Sequence, residues 1–314
     1  NSYVGIGKDL FYYFPNALSR FAELVNDPGR IIRERRIYPR SLYAINPEER
    51  EQHEAKLQAD PIAMLTSGTS LAILYTYILR DFFGIKPSAA FGYSLGENSM
   101  MFASDVWGNA DQVNKALEES PLFHVRLSGP HNAVRQYWNL EQMTTGQSDE
   151  DFWASYVVMA KPDRVREAIE NNNKVFLTHI NTPRQVVIAG DQKACLEVIG
   201  SLKTMYLKAP FNYALHCPAM QSEHNDLSEL HSWEVKSVPA VQLYSTADYS
   251  PVQIERHNIA DKIATTLTTC VDFPRIIDRV YNDNIRIFIE AGAGSNCSKW
   301  VEESLRGRPH PSAA

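Results

Sequence analysis

The stretch Ala89-Ala90-Phe91-Gly92-Tyr93-Ser94-Leu95-Gly96-Glu97 constrains this chain more than any other. A short apolar strand runs into a Gly-x-Ser-x-Gly turn, and a helix follows. That pattern lifts a serine hydroxyl onto a sharp, strained turn. Gly92 and Gly96 carry no Cβ, so the turn can tighten and the helix can pack close to the strand. The helix would point its unpaired N–H groups at Ser94, with Leu95 N–H the first donor to a developing oxyanion. Such a run arises easily by chance, so its chemistry depends on partners elsewhere in the chain.

With 314 residues, the chain can bury a large core, as one big domain or one domain carrying an insertion. A net charge of -6 gives no electrostatic footprint for nucleic acid. The cluster Arg30, Arg33, Arg35, Arg36 and Arg40 reads as a solvated or partner-facing loop. Cys195, Cys217, Cys270 and Cys297 are far apart, suiting neither a disulfide framework nor a zinc site, so a reducing, cytoplasmic setting is expected. The most apolar run, Leu71 to Leu79, is too short for a bilayer, and no membrane association is expected. Opening on Asn1 without methionine, the sequence reads as an excised piece of a longer polypeptide.

An amphipathic helix is predicted through Leu10, Phe11, Phe14, Leu18 and Phe21, then loops and one short helix from 28 to 60. A long, largely buried helix runs from Asp60-Pro61 to about Phe83, where Gly84 stops it. Ser94 thus lies on a helix–strand–turn–helix unit, the unit of an α/β sheet with a nucleophile at its strand ends. Further helices are expected from near Glu97 to about Val106 and over Ala110 to Glu119.

Residues 151–210 read as an insertion with its own rhythm. Strands are predicted at Trp153 to Ala160, Val175 to Asn181, Arg184 to Ala189 and Met205 to Lys208, with helices at Pro162 to Asn171 and Asp191 to Leu202. This is the ferredoxin-like order. Residues 1–150 and 211–314 form the α/β core, with later strands at Val241 to Ser245 and Ile285 to Glu290. Its later helices are expected at Gln253 to Thr268, Phe273 to Tyr281 and Asn296 to Leu305. The expected fold is α/β, a hydrolase-like parallel-sheet core with a ferredoxin-like α+β insertion.

A serine hydroxyl is a weak nucleophile unless a base within reach takes its proton. Of nine histidines, His53, His224, His231, His257 and His310 sit in polar, helix- or tail-like text, and His131 and His179 have no supporting pattern. His216 follows an apolar strand end, precedes Cys217-Pro218, and lies where the chain returns from the insertion to the core. Arg126 sits among Leu122, Phe123, Val125 and Leu127, which favours partial burial, and a buried arginine needs an anion. It reads either as a salt-bridged arginine or as a bidentate clamp for a substrate carboxylate.

Together, Gly92-Tyr93-Ser94-Leu95-Gly96-Glu97, Arg126, Tyr213-Ala214-Leu215-His216-Cys217-Pro218 and Glu290-Ala291-Gly292-Ala293-Gly294 resemble the acyl-carrier-protein acyltransferases. These are the malonyl transacylases and the acyltransferase domains of polyketide synthases. The segments 94–100, Arg126-Leu127-Ser128-Gly129-Pro130, 181–191 and Gly294-Ser295-Asn296-Cys297 are most similar to the polyunsaturated-fatty-acid synthase branch. The resemblance implies that Ser94 is acylated, that His216 is general base and acid, and that Leu95 lines the oxyanion hole. It sets Arg126, Tyr93 and Tyr213 against the substrate. A main-chain carbonyl near Asp272 or Phe273 orients the histidine, and a second oxyanion donor comes from a glutamine upstream of Asn1.

No bound cofactor or metal is implied; acyl-CoA and the phosphopantetheine of an acyl carrier protein are the substrates, and other domains of a larger synthase are partners. Tyr93 replaces the histidine commonly found before the nucleophile, Tyr-Ala-Leu-His matches neither usual selectivity motif, and Arg126 lies unusually far beyond Ser94. The acyl group, malonyl or longer, is therefore open. The competing readings are a serine thioesterase or esterase, which lacks its late histidine here, and a scaffold with a decayed site.

Overall fold

The computed structural model describes residues 3–27, 37–38, 45–58, 60–144 and 151–314. The arginine cluster between 30 and 40 lies outside them. Within them, the first helical stretch divides in two, Lys8–Tyr13 and Pro15–Ala22. Proline lacks the N–H that would continue the ladder and drives the preceding residue from the helical region; Phe14 sits at φ -131°, ψ 63°.

The helix Pro61–Tyr77 starts where Asp60 accepts a bond from Ala63 N–H (2.9 Å), with proline in the first turn. It continues through a π-helical turn, Ile78–Phe82, so the helix outruns the apolar stretch seen in sequence. Ile62–Phe82 is long and apolar enough, by length and composition, to cross a membrane. Here it is a core helix, packed against Gly96–Ala103, Pro15–Ala22 and Pro47–Gln58, with Leu71, Leu74 and Tyr77 buried.

The main sheet is small. Strand β1 (Ala89–Phe91) pairs parallel with β6 (Gln242–Ser245), which pairs antiparallel with β7 (Ser250–Pro251). The strand expected over Ile285 to Glu290 is only β9 (Phe288–Ile289), paired parallel with β10 (Ser312–Ala313) in what the sequence presented as a tail. Helices Arg256–Thr268, Phe273–Asn282 and Asn296–Ser304 belong to this part, with Ala110–Glu119, Asn132–Tyr137 and His224–Leu230.

The second sheet contains β2 (Ala154–Val158), β3 (Val175–Thr182), β4 (Gln185–Gly190) and β5 (Tyr206–Lys208), in spatial order β5-β2-β4-β3. Helices Pro162–Ile169 and Gln192–Leu202 lie between the first and second and between the third and fourth of these strands. That is the ferredoxin-like arrangement, with its own core of Val158, Val165, Ile188, Cys195 and Val198. The sheet does not end there. A fifth strand, β8 (Val271–Asp272), belongs to the chain after the insertion and pairs parallel with β3, His179 opposite Val271. This seam carries β3 to the edge of the serine turn.

Candidate active site

Ser94 stands at the carboxyl end of β1, where open parallel sheets place their ligands. Its φ is +54°, a left-handed conformation that side chains with a Cβ rarely adopt. The turn closes because Gly92 lets strand and helix touch. A Cβ there would lie 2.0 Å from Gly96 C and 2.2 Å from Glu97 N. Gly96 differs from the sequence expectation: a Cβ on it would meet nothing within 4 Å. Only the first glycine is sterically required. Leu95 caps the helix Gly96–Ala103, so its amide stands at the positive end of that helix.

Ser94 Oγ lies 2.7 Å from Nε2 of His216, 122 positions later in sequence. His216 also has a left-handed backbone, φ +59°, and is buried. Its Nδ1 lies 2.6 Å from the Thr266 carbonyl, which can only accept, so the proton sits on Nδ1 and Nε2 is left to accept from serine. Its own amide donates to Leu267 O (2.7 Å), and Gln221 donates to Thr268 O (3.0 Å).

All three carbonyls belong to the last turn of Arg256–Thr268, where a helix has no partners of its own. The orienting group is therefore Thr266, not Asp272, whose carboxylate instead caps the next helix by accepting from Arg275 N–H (3.2 Å). The negative end of a helix dipole thus faces the imidazole, where a Ser-His-Asp triad places a carboxylate. Burial lowers the His216 pKa to about 4, against the opposing effect of the Thr266 carbonyl.

Glu97 supports this arrangement from below. It is 1% exposed. Oε2 accepts from Ser245 Oγ (2.8 Å), and Oε1 from Thr246 N (2.7 Å), Thr246 Oγ1 (2.7 Å) and Thr266 Oγ1 (3.3 Å). Burial raises its pKa, with those same bonds pulling it back. One side chain thereby ties the serine helix to the end of β6 and to the residue whose carbonyl holds His216.

From the insertion, β3 contributes His179 and Asn181, two residues apart where bulges interrupt its pairing with β4. The His179 ring meets the His216 ring edge-on, centroids 4.5 Å apart, and burial, then the neighbouring His216, hold its pKa well below the usual value. Tyr93 donates its hydroxyl to Asn181 Oδ1 (2.7 Å) and packs on His179, Phe273 and Trp300. The residue in front of the serine is thus committed to fastening the turn to the insertion. Tyr213 accepts from Trp153 Nε1 at its carbonyl (3.2 Å) and makes no bond to Ser94 or His216.

Arg126 lies alongside. The next residue, Leu127, accepts from Ala214 N (2.8 Å), two positions before His216. Its guanidinium is already bound: Nε to Glu223 Oε2 (2.9 Å), Nη2 to Glu223 Oε1, and Nη2 to Gln136 Oε1 (2.9 Å). Sequence reasoning missed Glu97, Thr266, His179 and Glu223. The helix end at Thr268 was legible, and its orphan carbonyls were the available signal for Thr266.

The site holds a strained serine, a histidine whose Nε2 faces its hydroxyl, and no carboxylate touching that histidine among the described residues. Its relatives narrow the class. No family model matches the chain. It is 29% identical over 322 residues to a polyunsaturated fatty acid synthase polypeptide of Thraustochytrium, covering 96% of this chain and 15% of that protein. It is 23% identical over 318 residues to the malonyl CoA-acyl carrier protein transacylase of Bacillus subtilis, covering 98% of this chain and 88% of that one.

In fold it matches the malonyl-CoA:acyl carrier protein transacylase of Xanthomonas oryzae at a TM-score of 0.74 and 16% identity, over 99% of this chain and 90% of that one. The chain has the malonyl transacylase and acyltransferase-domain fold, and its sequence relatives are transacylases and synthases of the same group.

Proposed function

We propose that this chain is an acyltransferase that moves an acyl group between thioesters through an acyl-serine. The observation that carries the reading is the Ser94 Oγ–His216 Nε2 contact of 2.7 Å with His216 Nδ1 fixed by Thr266 O. Ser94 Oγ attacks the thioester carbonyl carbon while its proton passes to Nε2. The oxyanion so formed accepts from Leu95 N–H, and its collapse breaks the C–S bond. His216 returns the proton to the leaving thiolate. A second thiol then gives its proton to Nε2 and attacks the acyl-serine, reversing the sequence in ping-pong order. The imidazolium exists only in transit, and the helix end carrying Thr266 stabilises it then.

The incoming thiol is the phosphopantetheine of an acyl carrier protein, on the likeness to the transacylases; the donor is an acyl-CoA or another carrier thioester. A cytoplasmic setting fits the four unbridged cysteines. The test is intact-mass analysis after mixing the chain with acyl-CoA donors, beside Ser94→Ala, with carrier protein added second. An adduct on the wild type alone that moves to the carrier is expected. An adduct lost to water at the same rate with and without carrier would make the chain a hydrolase, and no adduct with any donor would end the reading.

A further inference from the structure

From the state of Arg126 we infer that the site selects uncharged acyl groups and discriminates against dicarboxylic ones such as malonyl. This inference rests on the acyl-transfer reading and concerns which acyl group Ser94 accepts.

A guanidinium recognises a carboxylate through two parallel N–H bonds along one edge. In Arg126 the edge formed by Nε and Nη2 is filled by both oxygens of Glu223. The adjoining edge, Nη1 with the second N–H of Nη2, is interrupted because that N–H goes to Gln136 Oε1 (2.9 Å). No complete edge remains for a substrate. The charge is spent as well. The Glu223 side chain is 3% exposed and that of Arg126 21%, so the carboxylate is the deeper partner.

Burial works to raise the Glu223 pKa, yet the bonds from Arg126 and from Ser222 Oγ (2.7 Å) outweigh it and hold the carboxyl ionised. A malonyl carboxylate entering beside Arg126 would meet a neutral pair with a buried negative member. To take the guanidinium it would have to leave Glu223 ionised, buried and unpaired, a costly state.

The pair stands beside the segment that carries His216. Glu223 ends the turn Pro218–Glu223, which begins two residues after His216, and Arg126 is next to Leu127, whose carbonyl accepts from Ala214 N–H in the irregular segment that leads into His216. Paired in this way, Arg126 is an internal strut to Glu223 and not a free clamp for a substrate carboxylate.

The test is competition between malonyl-CoA and a series of saturated acyl-CoAs for Ser94 on the intact chain, read by mass. At least one neutral acyl group should be loaded in preference to malonyl by about tenfold or more. Malonyl equal to or ahead of every neutral donor would overturn the inference. Glu223→Gln keeps the shape and removes the charge, so it should raise the malonyl-to-neutral ratio by about tenfold; an unchanged ratio would overturn the assignment to Glu223.

A second arm is independent of turnover and of that variant's folding. Calorimetry on Ser94→Ala should show malonyl-CoA binding no tighter than the best neutral acyl-CoA, and tighter malonyl binding would refute the inference. Absence of any adduct on the wild type overturns the acyl-transfer reading instead, so the two failures are distinguishable.

Discussion

Replacing Glu97 tests whether one buried carboxyl holds the serine and histidine halves of the site together. In Glu97→Ala the Thr246 N–H loses its acceptor in a place water does not reach. An orphaned buried donor costs about 1–3 kcal/mol. The Ser245 and Thr246 hydroxyls can rotate, and Thr246 Oγ1 already lies 3.3 Å from Thr266 Oγ1, so they lose less. The vacated volume adds roughly 1–2 kcal/mol, giving a total of about 3–5 kcal/mol. That is a large part of the stability of an ordinary domain.

Glu97→Gln is a different case. Its carbonyl can take the place of Oε1, with three donors, while its amide faces Ser245, whose hydroxyl turns to accept. It should stay within about 1 kcal/mol of wild type. The pH dependence has a definite sign. A carboxyl whose folded pKa is raised binds its proton more tightly when folded, so its contribution is fullest below the unfolded value and lost as pH rises through the folded one. Glutamine cannot ionise, so Glu97→Gln should gain on wild type as pH rises.

Denaturant unfolding followed by circular dichroism at several pH values reads all three proteins, and acyl-serine formation reads the site. The alanine variant should also load Ser94 more slowly, through a less constrained Thr266 carbonyl. A loss below about 1 kcal/mol in Glu97→Ala, or a glutamine variant as weak as the alanine one, would refute the reasoning.

Two other expectations follow from the site. The His216 pKa is held at about 4, so Ser94 acylation, which needs neutral imidazole, should stay level as pH falls past 6.5 and decline only toward 4, by pH-rate profile. His216 and the buried His231 bind protons less readily folded than unfolded, so their contribution to stability is full above 6.5 and falls as pH drops toward 4; rates must be taken where the chain is still folded. The glycines of the turn should separate: Gly92→Ala, with its Cβ 2.0 Å from backbone, should fail to give folded protein, whereas Gly96→Ala, facing open space, should fold with a normal thermal transition.

Much was legible in the sequence because it is encoded locally. The turn at Ser94 shows as small residues around a serine after an apolar strand, and the insertion shows as alternating strand and helix text between 151 and 210. Asp60-Pro61 marks a helix start by its own chemistry. His216 stood out by its place on the return from the insertion ahead of Cys217-Pro218, although the strand expected before it is irregular chain. Local encoding failed where a local signal was overridden, as at Phe14-Pro15, where periodicity argued for one helix and the proline ring made two.

What only the tertiary structure decided is who faces whom. Thr266 orients His216 because a helix ends beside it with unpaired carbonyls, a fact about two segments 50 positions apart. His179 lacked a pattern in its own neighbourhood and acquired a place because bulges and the pairing of β3 with β8 bring it onto His216. Arg126 reads from sequence as an arginine in need of an anion; that the anion is Glu223, 97 positions away, is settled by packing alone. Backbone preferences and periodicity act over a few residues and are written in order along the chain. Charge pairing and hydrogen-bond partnership act through space, and only the fold brings their partners within reach.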